Sequence, residues 1–346
     1  MSAGERDAVT RTEGLLVTGG TGAIGSHVGR EFARRGMAPM LVDVRPPGRN
    51  CDDFASQVTF LQTDIRDAES LIRILAASHV TTIIHLAAIP GGPADDDLER
   101  TWEINVNGTF NVFRAARIAG VRRVLYASTR AVLPPLAGTR YGHPTYDPVP
   151  EDLPPAPRKP YSVSKFVCEQ LASQYAEVYR MQAVGMRFSW MFSAEKVAEW
   201  HGQRRLDTLQ AMGPHRIALV LLAAFSRVPL HLRSGGDLPI DIAYTGRIAE
   251  SIVALALASH LRHSTYNIGS GQLLRVRDFV AQVAAAFPGC SLSVGDGCDF
   301  AAGEACLLDM SRFRADVGVH PSMALADDLR ACYRLYQRLV DEAPNR

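Results

Sequence analysis

A short apolar run, Leu15-Leu16-Val17, ends in Thr18-Gly19-Gly20-Thr21-Gly22-Ala23-Ile24-Gly25-Ser26, and a helical pattern of Ile24, Val28 and Phe32 begins at once. Strand, glycine turn and helix in that order open a βαβ unit. Each glycine has its own reason. Gly19 permits the tight turn, Gly22 lets backbone N–H groups reach a pyrophosphate, and Gly25 lets helix and strand pack closely. The helix N-terminus, around Ala23 and Ile24, then faces the phosphates with its partial positive charge. This is the fingerprint of a dinucleotide site.

The rest of the chain repeats the strand–helix alternation. Strands are expected over 40–43, 58–62, 82–86, 121–127 and 184–188, with a long helix over 96–119 and another starting at Tyr161. Such alternation predicts an α/β, Rossmann-type doubly wound parallel sheet. Residues 134–160 hold too many prolines for regular structure. Residues 1–14 are expected as a loose tail, 15–192 as the dinucleotide-binding domain, and 193–346 as mainly a smaller α/β substrate region. Segments around 240–270 should return to the first domain. In the later region, strands are expected over 230–232, 240–242 and 266–269, and helices over 247–258, 277–287 and 325–340.

Two acids fall where a dinucleotide needs them. Asp43 ends the second strand 18 residues after Gly25, where a carboxylate accepts both hydroxyls of an adenosine ribose. That favours NAD, because a 2′-phosphate would meet negative charge, although Arg45 and Arg49 are cations that could hold one. Asp64 sits at the carboxyl edge of the third strand, and Asp67 is placed as a helix cap. His85 reads as a packed strand residue. Leu86, Ala87 and Ala88 follow it, and the small side chains let backbone approach a ligand.

At 346 residues the chain can bury a large core, and its composition, 47% hydrophobic and 21% charged, is that of a globular protein. A net charge of +1 gives no bulk field for nucleic acid or an acidic membrane. No apolar run reaches spanning length. The six cysteines form no CxxC pair, and the eight-residue spacing of Cys290, Cys298 and Cys306 is not that of a metal site. Reduced thiols in a cytoplasmic protein, with no metal, are expected.

Tyr161 and Lys165 lie four apart at a helix start and so share a face. A phenol titrates near 10, too high for a base at neutrality, and a neighbouring ammonium is expected to lower it. Tyr161 is then the general acid/base and Lys165 its tuner. Thr129, at the end of the fifth strand, offers a hydroxyl to hold the reacting oxygen.

Taken together, Thr18 to Gly25, Asp43, Asp64-Ile65, His85 to Ala88, Asn105-Val106-Asn107-Gly108-Thr109, Ser128-Thr129 and Tyr161 to Lys165 resemble the extended short-chain dehydrogenase/reductases of the NAD-dependent epimerase/dehydratase kind. Tyr266 to Gly271 and Leu308 to Arg312 match as well, so the resemblance runs nearly end to end. It implies a Rossmann domain with a smaller C-terminal domain, NAD as cofactor, and a homodimer through the 96–119 and 161–180 helices. It places Asp64 and Ile65 beside the adenine, Ala87 on the ribose path, Lys165 on the nicotinamide ribose, and Asn105 near the active site.

The departures concern the substrate. Members that bind nucleotide sugars usually carry Arg-x-x-Asn after the sixth strand, and here Arg187-Phe188-Ser189-Trp190 puts Trp190 in place of the Asn. Their later Arg-Asp pair is Ile240-Asp241 here. Dehydratases usually have Asp-Glu after the Thr, where this chain has Arg130-Ala131, which argues against dehydration. If a diphosphate binds, Arg130, Arg204, Arg205 and Arg233 are the candidate cations, with Ser128 also beside the substrate. Three functions remain open: epimerisation of a sugar or sugar-nucleotide carbinol through a transient ketone, dehydrogenation of a smaller sugar-like alcohol with NADH release, and a non-catalytic NAD-binding scaffold or sensor. The first is preferred.

Asp43 gives a direct prediction. NAD binds more tightly than NADP, as read from the two dissociation constants, and tighter NADP binding would assign the ribose pocket to Arg45 or Arg49 instead.

Overall fold

The computed structural model describes residues 14–201, 216–298, 305–318 and 324–341. Its first part runs β1 (Gly14–Thr18), α1 (Gly25–Arg34), β2 (Met40–Asp43), β3 (Thr59–Gln62), α2 (Ala68–Ala76), β4 (Val80–His85), α3 (Pro93–Asp96) and α4 (Leu98–Thr101). A π-helical turn (Trp102–Asn107) leads into α5 (Gly108–Ile118), followed by β5 (Arg123–Thr129), α6 (Pro160–Tyr179) and β6 (Gln182–Phe188). Then come β7 (Trp190–Phe192), α7 (Ala194–Glu199), α8 (Arg216–Ser226), β8 (Leu230–Leu232), β9 (Pro239–Ile240), β10 (Ile242–Tyr244) and α9 (Thr245–Leu257). The chain closes with β11 (Thr265–Ile268), β12 (Leu274–Arg275), α10 (Val276–Ala286), β13 (Leu292–Val294), α11 (Ser311–Val317) and α12 (Leu325–Val340).

Seven strands form one sheet in the order β11-β6-β5-β4-β1-β2-β3, and every pair in it is parallel. A parallel sheet is covered on both faces, so its strands are apolar almost throughout. Leu15, Leu16 and Val17 of β1 and Val124 and Leu125 of β5 are buried accordingly. One face packs on Val28 and Phe32 of α1 and Ile248, Ile252 and Val253 of α9. The other packs on Leu71 and Leu75 of α2, Val112 and Phe113 of α5, and Tyr175 of α6. A separate apolar cluster joins Val197, Leu219, Leu222, Phe279 and Leu335 from α7, α8, α10 and α12. Strand order reverses between β1 and β4, which opens a crevice at the strands' carboxyl ends.

Four sequence expectations are corrected. Gly14 is the first residue of β1 and not part of a tail; residues 1–13 lie outside the described residues. The helix expected over 96–119 is broken, because Asp97 is extended (φ −137°, ψ 90°) and its side chain caps α4 by accepting from Arg100 N at 3.0 Å. The π-helical turn then follows. The strand expected over 240–242 is split at Asp241. Its buried carboxylate accepts from Ser270 N and Oγ at 2.7 Å each, and β9 and β10 leave it toward different partners, β12 and β7. Finally, β5 runs to Thr129, two residues further than expected, and pairs Ser128 with Arg187 and Thr129 with Phe188. Asp67 caps α2 as expected, accepting from Ser70 N at 3.0 Å.

Glu195 of α7 reaches back to α1. Ser26 Oγ donates to its Oε1 at 3.4 Å, and His27 Nε2 lies 3.7 Å away. Burial raises the Glu195 carboxyl to about 7 and lowers the His27 imidazole to about 3, so both are neutral in weak acid. The folded chain therefore holds a proton on Glu195 that the unfolded chain releases near 4.5, and this contribution to stability is lost as pH rises toward 7. Glu195→Gln is expected to stabilise the protein at pH 8 by about 1–2 kcal/mol and to change nothing at pH 4. Urea unfolding at the two pH values checks it; equal effects at both would remove the carboxyl from the titration.

Candidate active site

The dinucleotide turn has the shape its sequence implies. Gly19 takes φ +69°, a region open to glycine, and a Cβ there would lie 2.7 Å from Ala87 N. A Cβ on Gly25 would collide with the Gly19 carbonyl, so α1 starts in direct contact with the turn. Gly22 N donates back to Gly19 O at 3.1 Å, and Ser26 N to Gly22 O at 3.0 Å. Among the described residues nothing accepts from the N–H of Ala23 or Ile24. These are half-buried donors at the positive end of a ten-residue helix, which is the donor set a pyrophosphate requires. Asp43 closes the end of β2, accepting from Thr21 N at 3.2 Å and Arg45 N at 3.1 Å. The residues present fit a dinucleotide.

The segment after β4 meets this turn. Leu86 N donates to Thr18 O at 3.1 Å, Ala87 N reaches Thr18 Oγ1 at 3.4 Å, and Ala88 follows in the same loop. His85 is the packed strand residue expected, 3% exposed. Thr109 Oγ1 donates to Asn105 O at 2.5 Å, so it accepts from His85 Nε2 at 2.9 Å, which leaves Nδ1 to accept from Thr18 Oγ1 at 2.7 Å. Burial, aided by the Lys165 charge, lowers this imidazole to about 3, in keeping with a neutral ring. Asp64 is occupied by Arg66, whose N and Nη2 donate at 2.8 and 2.7 Å. Ile65 is buried against Gly108.

Asn105 lies next to α6, within the neighbourhood of the site. Its amide accepts from Ile89 N at 2.8 Å and donates to Ile89 O at 3.0 Å and to Ser164 Oγ at 3.1 Å. Ser164 Oγ donates in turn to Tyr161 O at 2.7 Å. Asn105 therefore ties the loop after β4 to α6 and acts on the site by position, with its amide spent inside the protein. The π-helical turn carries it there.

Thr129 and Tyr161 come together. Both line a cavity of about 520 Å³ at the carboxyl ends of β5 and β6, while Thr129 Oγ1 accepts from Ala131 N at 3.1 Å. Asp95, which sequence reasoning missed, fixes the start of α6 by accepting from Tyr161 N at 2.9 Å. Lys165 lies one turn on, its Nζ 6.0 Å from the Tyr161 ring centre. The expected tuning is absent from the protein alone. Burial pushes Tyr161 up to about 12, with the Thr129 hydrogen bond opposing it, and burial pulls Lys165 down. Both side chains have lost water, so each is driven toward its neutral form, and that outweighs an ammonium at this distance.

Of the substrate candidates, Arg130 and Trp190 line the cavity, with the guanidinium 4.5 Å from the Trp190 ring centre. Ser128 is turned away; its Oγ donates to Glu169 at 2.6 Å. Arg233 is exposed in the segment after β8, away from the cavity lining, where Gly295 N donates to the preceding Leu232 O at 2.8 Å. Arg204 and Arg205 lie outside the described residues. Sequence reasoning also missed Glu169 and Arg187, a buried bidentate pair at 2.8 Å. The one signal was their type, because Glu and Arg seldom stand in a core unless paired.

Residues 15–269 match the model of the NAD dependent epimerase/dehydratase family. A UDP-glucose 4-epimerase of Rhizobium meliloti (strain 1021) is 30% identical over 217 residues, 62% of this chain and 60% of that protein. The chain thus spans about 60% of that relative's length. One from Streptomyces lividans is 27% identical over 277 residues, 78% of this chain and 79% of that protein. The crystal structure of a Thermotoga maritima UDP-glucose 4-epimerase with UDP-glucose has the same fold, with TM-score 0.75 and 20% identity over 95% of this chain and all of that one.

Proposed function

The chain belongs to the NAD dependent epimerase/dehydratase family, and from that premise we propose that it epimerises a sugar or sugar-nucleotide carbinol through a transient ketone. The observation that carries the reading is that Thr129 and Tyr161 line one cavity at the carboxyl ends of β5 and β6, on the sheet edge that also carries the dinucleotide turn. The amides around Ala23 and Ile24 and the Asp43 carboxylate would hold NAD, which when bound would accept the carbinol hydride and give it back to the opposite face of the ketone, so that no net oxidation occurs. Tyr161 takes the hydroxyl proton and returns it, and Thr129 orients the reacting oxygen. Lys165 contributes its ammonium to the ribose side of the site. In the protein alone Tyr161 keeps its proton, so a positive charge brought by the bound cofactor is needed to draw the phenol toward neutrality.

Trp190, in the place usually held by Asn, favours a second reading: dehydrogenation of a smaller sugar-like alcohol with release of NADH. The two separate on product. Epimer without net NADH supports the first, and stoichiometric NADH without epimer the second.

The protein is also proposed to be a homodimer. Among the described residues, seven of the nine exposed large apolar side chains lie on α4 to α5 or on α6: Leu98, Trp102, Phe110, Ile118, Val163, Val178 and Tyr179. Phe110 and Tyr175 touch across the two helices, so these form one surface. Sedimentation is expected to give two chains, with the double variant Trp102→Glu, Val178→Glu giving one; a monomeric native protein contradicts the reading.

Tyr161→Phe is expected to lower turnover by about 10²–10⁴-fold while leaving NAD binding near normal, since the ring remains and only the phenol oxygen is lost. Lys165→Ala should weaken both. Near-native rates in Tyr161→Phe would eliminate this mechanism.

A further inference from the structure

Thr18, His85, Thr109, Asn105 and Ser164 are all polar, and each is 3% exposed or less. Buried polar side chains need partners, and these five bond to one another in series. Thr18 Oγ1 donates to His85 Nδ1 at 2.7 Å, and His85 Nε2 donates to Thr109 Oγ1 at 2.9 Å. Thr109 Oγ1 donates to Asn105 O at 2.5 Å, and that carbonyl also accepts from Cys168 Sγ of α6 at 3.1 Å. The Asn105 amide donates to Ser164 Oγ at 3.1 Å, and Ser164 Oγ donates to Tyr161 O at 2.7 Å. The series starts at the residue before Gly19 and ends in the first turns of α6. Its central link is one imidazole. Only a neutral ring accepts at one nitrogen and donates at the other, and burial keeps this ring neutral.

We propose that His85 is a positioning residue that couples the dinucleotide turn to the catalytic helix, so that a pyrophosphate seated on the turn suppresses local opening of the first turns of α6. The inference rests on the reading of the glycine turn as the dinucleotide site and of Tyr161 as the acid/base. Thr18 moves with the turn, because Gly19 follows it directly and Leu86 N and Ala87 N bond its carbonyl and hydroxyl. Opening of α6 must break the bonds from Ser164 and Cys168 to Asn105. Each broken link leaves a buried donor or acceptor unpaired, which is costly away from water. Ordering one end of such a series therefore lowers the cost of ordering the other.

The test is amide hydrogen exchange with and without saturating ADP, with ADP binding followed by calorimetry. ADP carries an adenosine and a pyrophosphate but no nicotinamide ribose to touch Tyr161 or Lys165. It should slow exchange over residues 162–168 of α6 by roughly fivefold or more. That slowing should exceed any in α10, which reports stabilisation of the whole chain. Thr109→Val exchanges the hydroxyl for a methyl and should erase the excess slowing while ADP still binds; Thr109→Ser should retain it. His85→Leu should erase it as well, and His85→Gln should recover part, because an amide accepts with its oxygen and donates with its nitrogen. Equal slowing in the native protein and Thr109→Val overturns the proposal, and so does no excess slowing in the native protein. Loss of ADP binding in Thr109→Val also overturns it, because the series would then belong to the ADP site itself. Failure of the native protein to bind ADP removes both the coupling and the dinucleotide site. Exchange is read without turnover. Native rates in Tyr161→Phe would count against the proposed reaction and not against the coupling.

Discussion

The contact on which the rest of the site depends is the buried ion pair between Glu169 of α6 and Arg187 of β6. Two parallel hydrogen bonds of 2.8 Å join them, with side chains 8% and 4% exposed. Taking two charges from water is costly, and the cost is met only when the remaining donors and acceptors are used. Here Glu169 also accepts from Ser128, and Arg187 donates to Glu151 O at 2.9 Å. Glu151 accepts from Asn267 N on β11 and faces Arg312 of α11 at 3.4 Å. Ser128 precedes Thr129, and Lys165 lies one turn before Glu169 on the same helix. Loss of either partner would leave a bare charge between α6 and β6, the two elements that must hold Thr129 and Tyr161 in register.

A second clamp works from the opposite side. Asn105 and Asp95 both lie in the broken segment after β4, and both are bonded to α6, through Ser164 and Tyr161 N. Backbone at Asp97 is extended, and Asn105 itself lies in the π-helical turn that follows. Together the two clamps fix α6 through Tyr161, Ser164 and Glu169.

Burial also sets the resting protonation. His85, Lys165 and Tyr161 lie close together, and loss of hydration drives each toward its uncharged form. In the protein alone the phenol is thus held in its protonated form. The crevice between β1 and β4 brings dinucleotide turn and cavity to the same carboxyl edge of the sheet.

What the sequence determined by itself was whatever depends on local spacing. The glycine turn, the acid at the end of β2, the Tyr161 and Lys165 pair and the cap at Asp67 are each set within a few residues, by backbone sterics and side-chain period, and the repeated strand–helix alternation implied the parallel sheet. Tertiary structure decided what depends on distant partners. Asn105 was placed near the site by its sequence context, and the fold adds its partners, Ile89 and Ser164. Arg130 and Arg233 looked alike as cations. The fold puts Arg130 on Trp190 and leaves Arg233 away from the cavity. The protonation of Tyr161 followed the same rule: its neighbour Lys165 was visible four residues away, but the loss of water that outweighs it is a property of the packed chain alone.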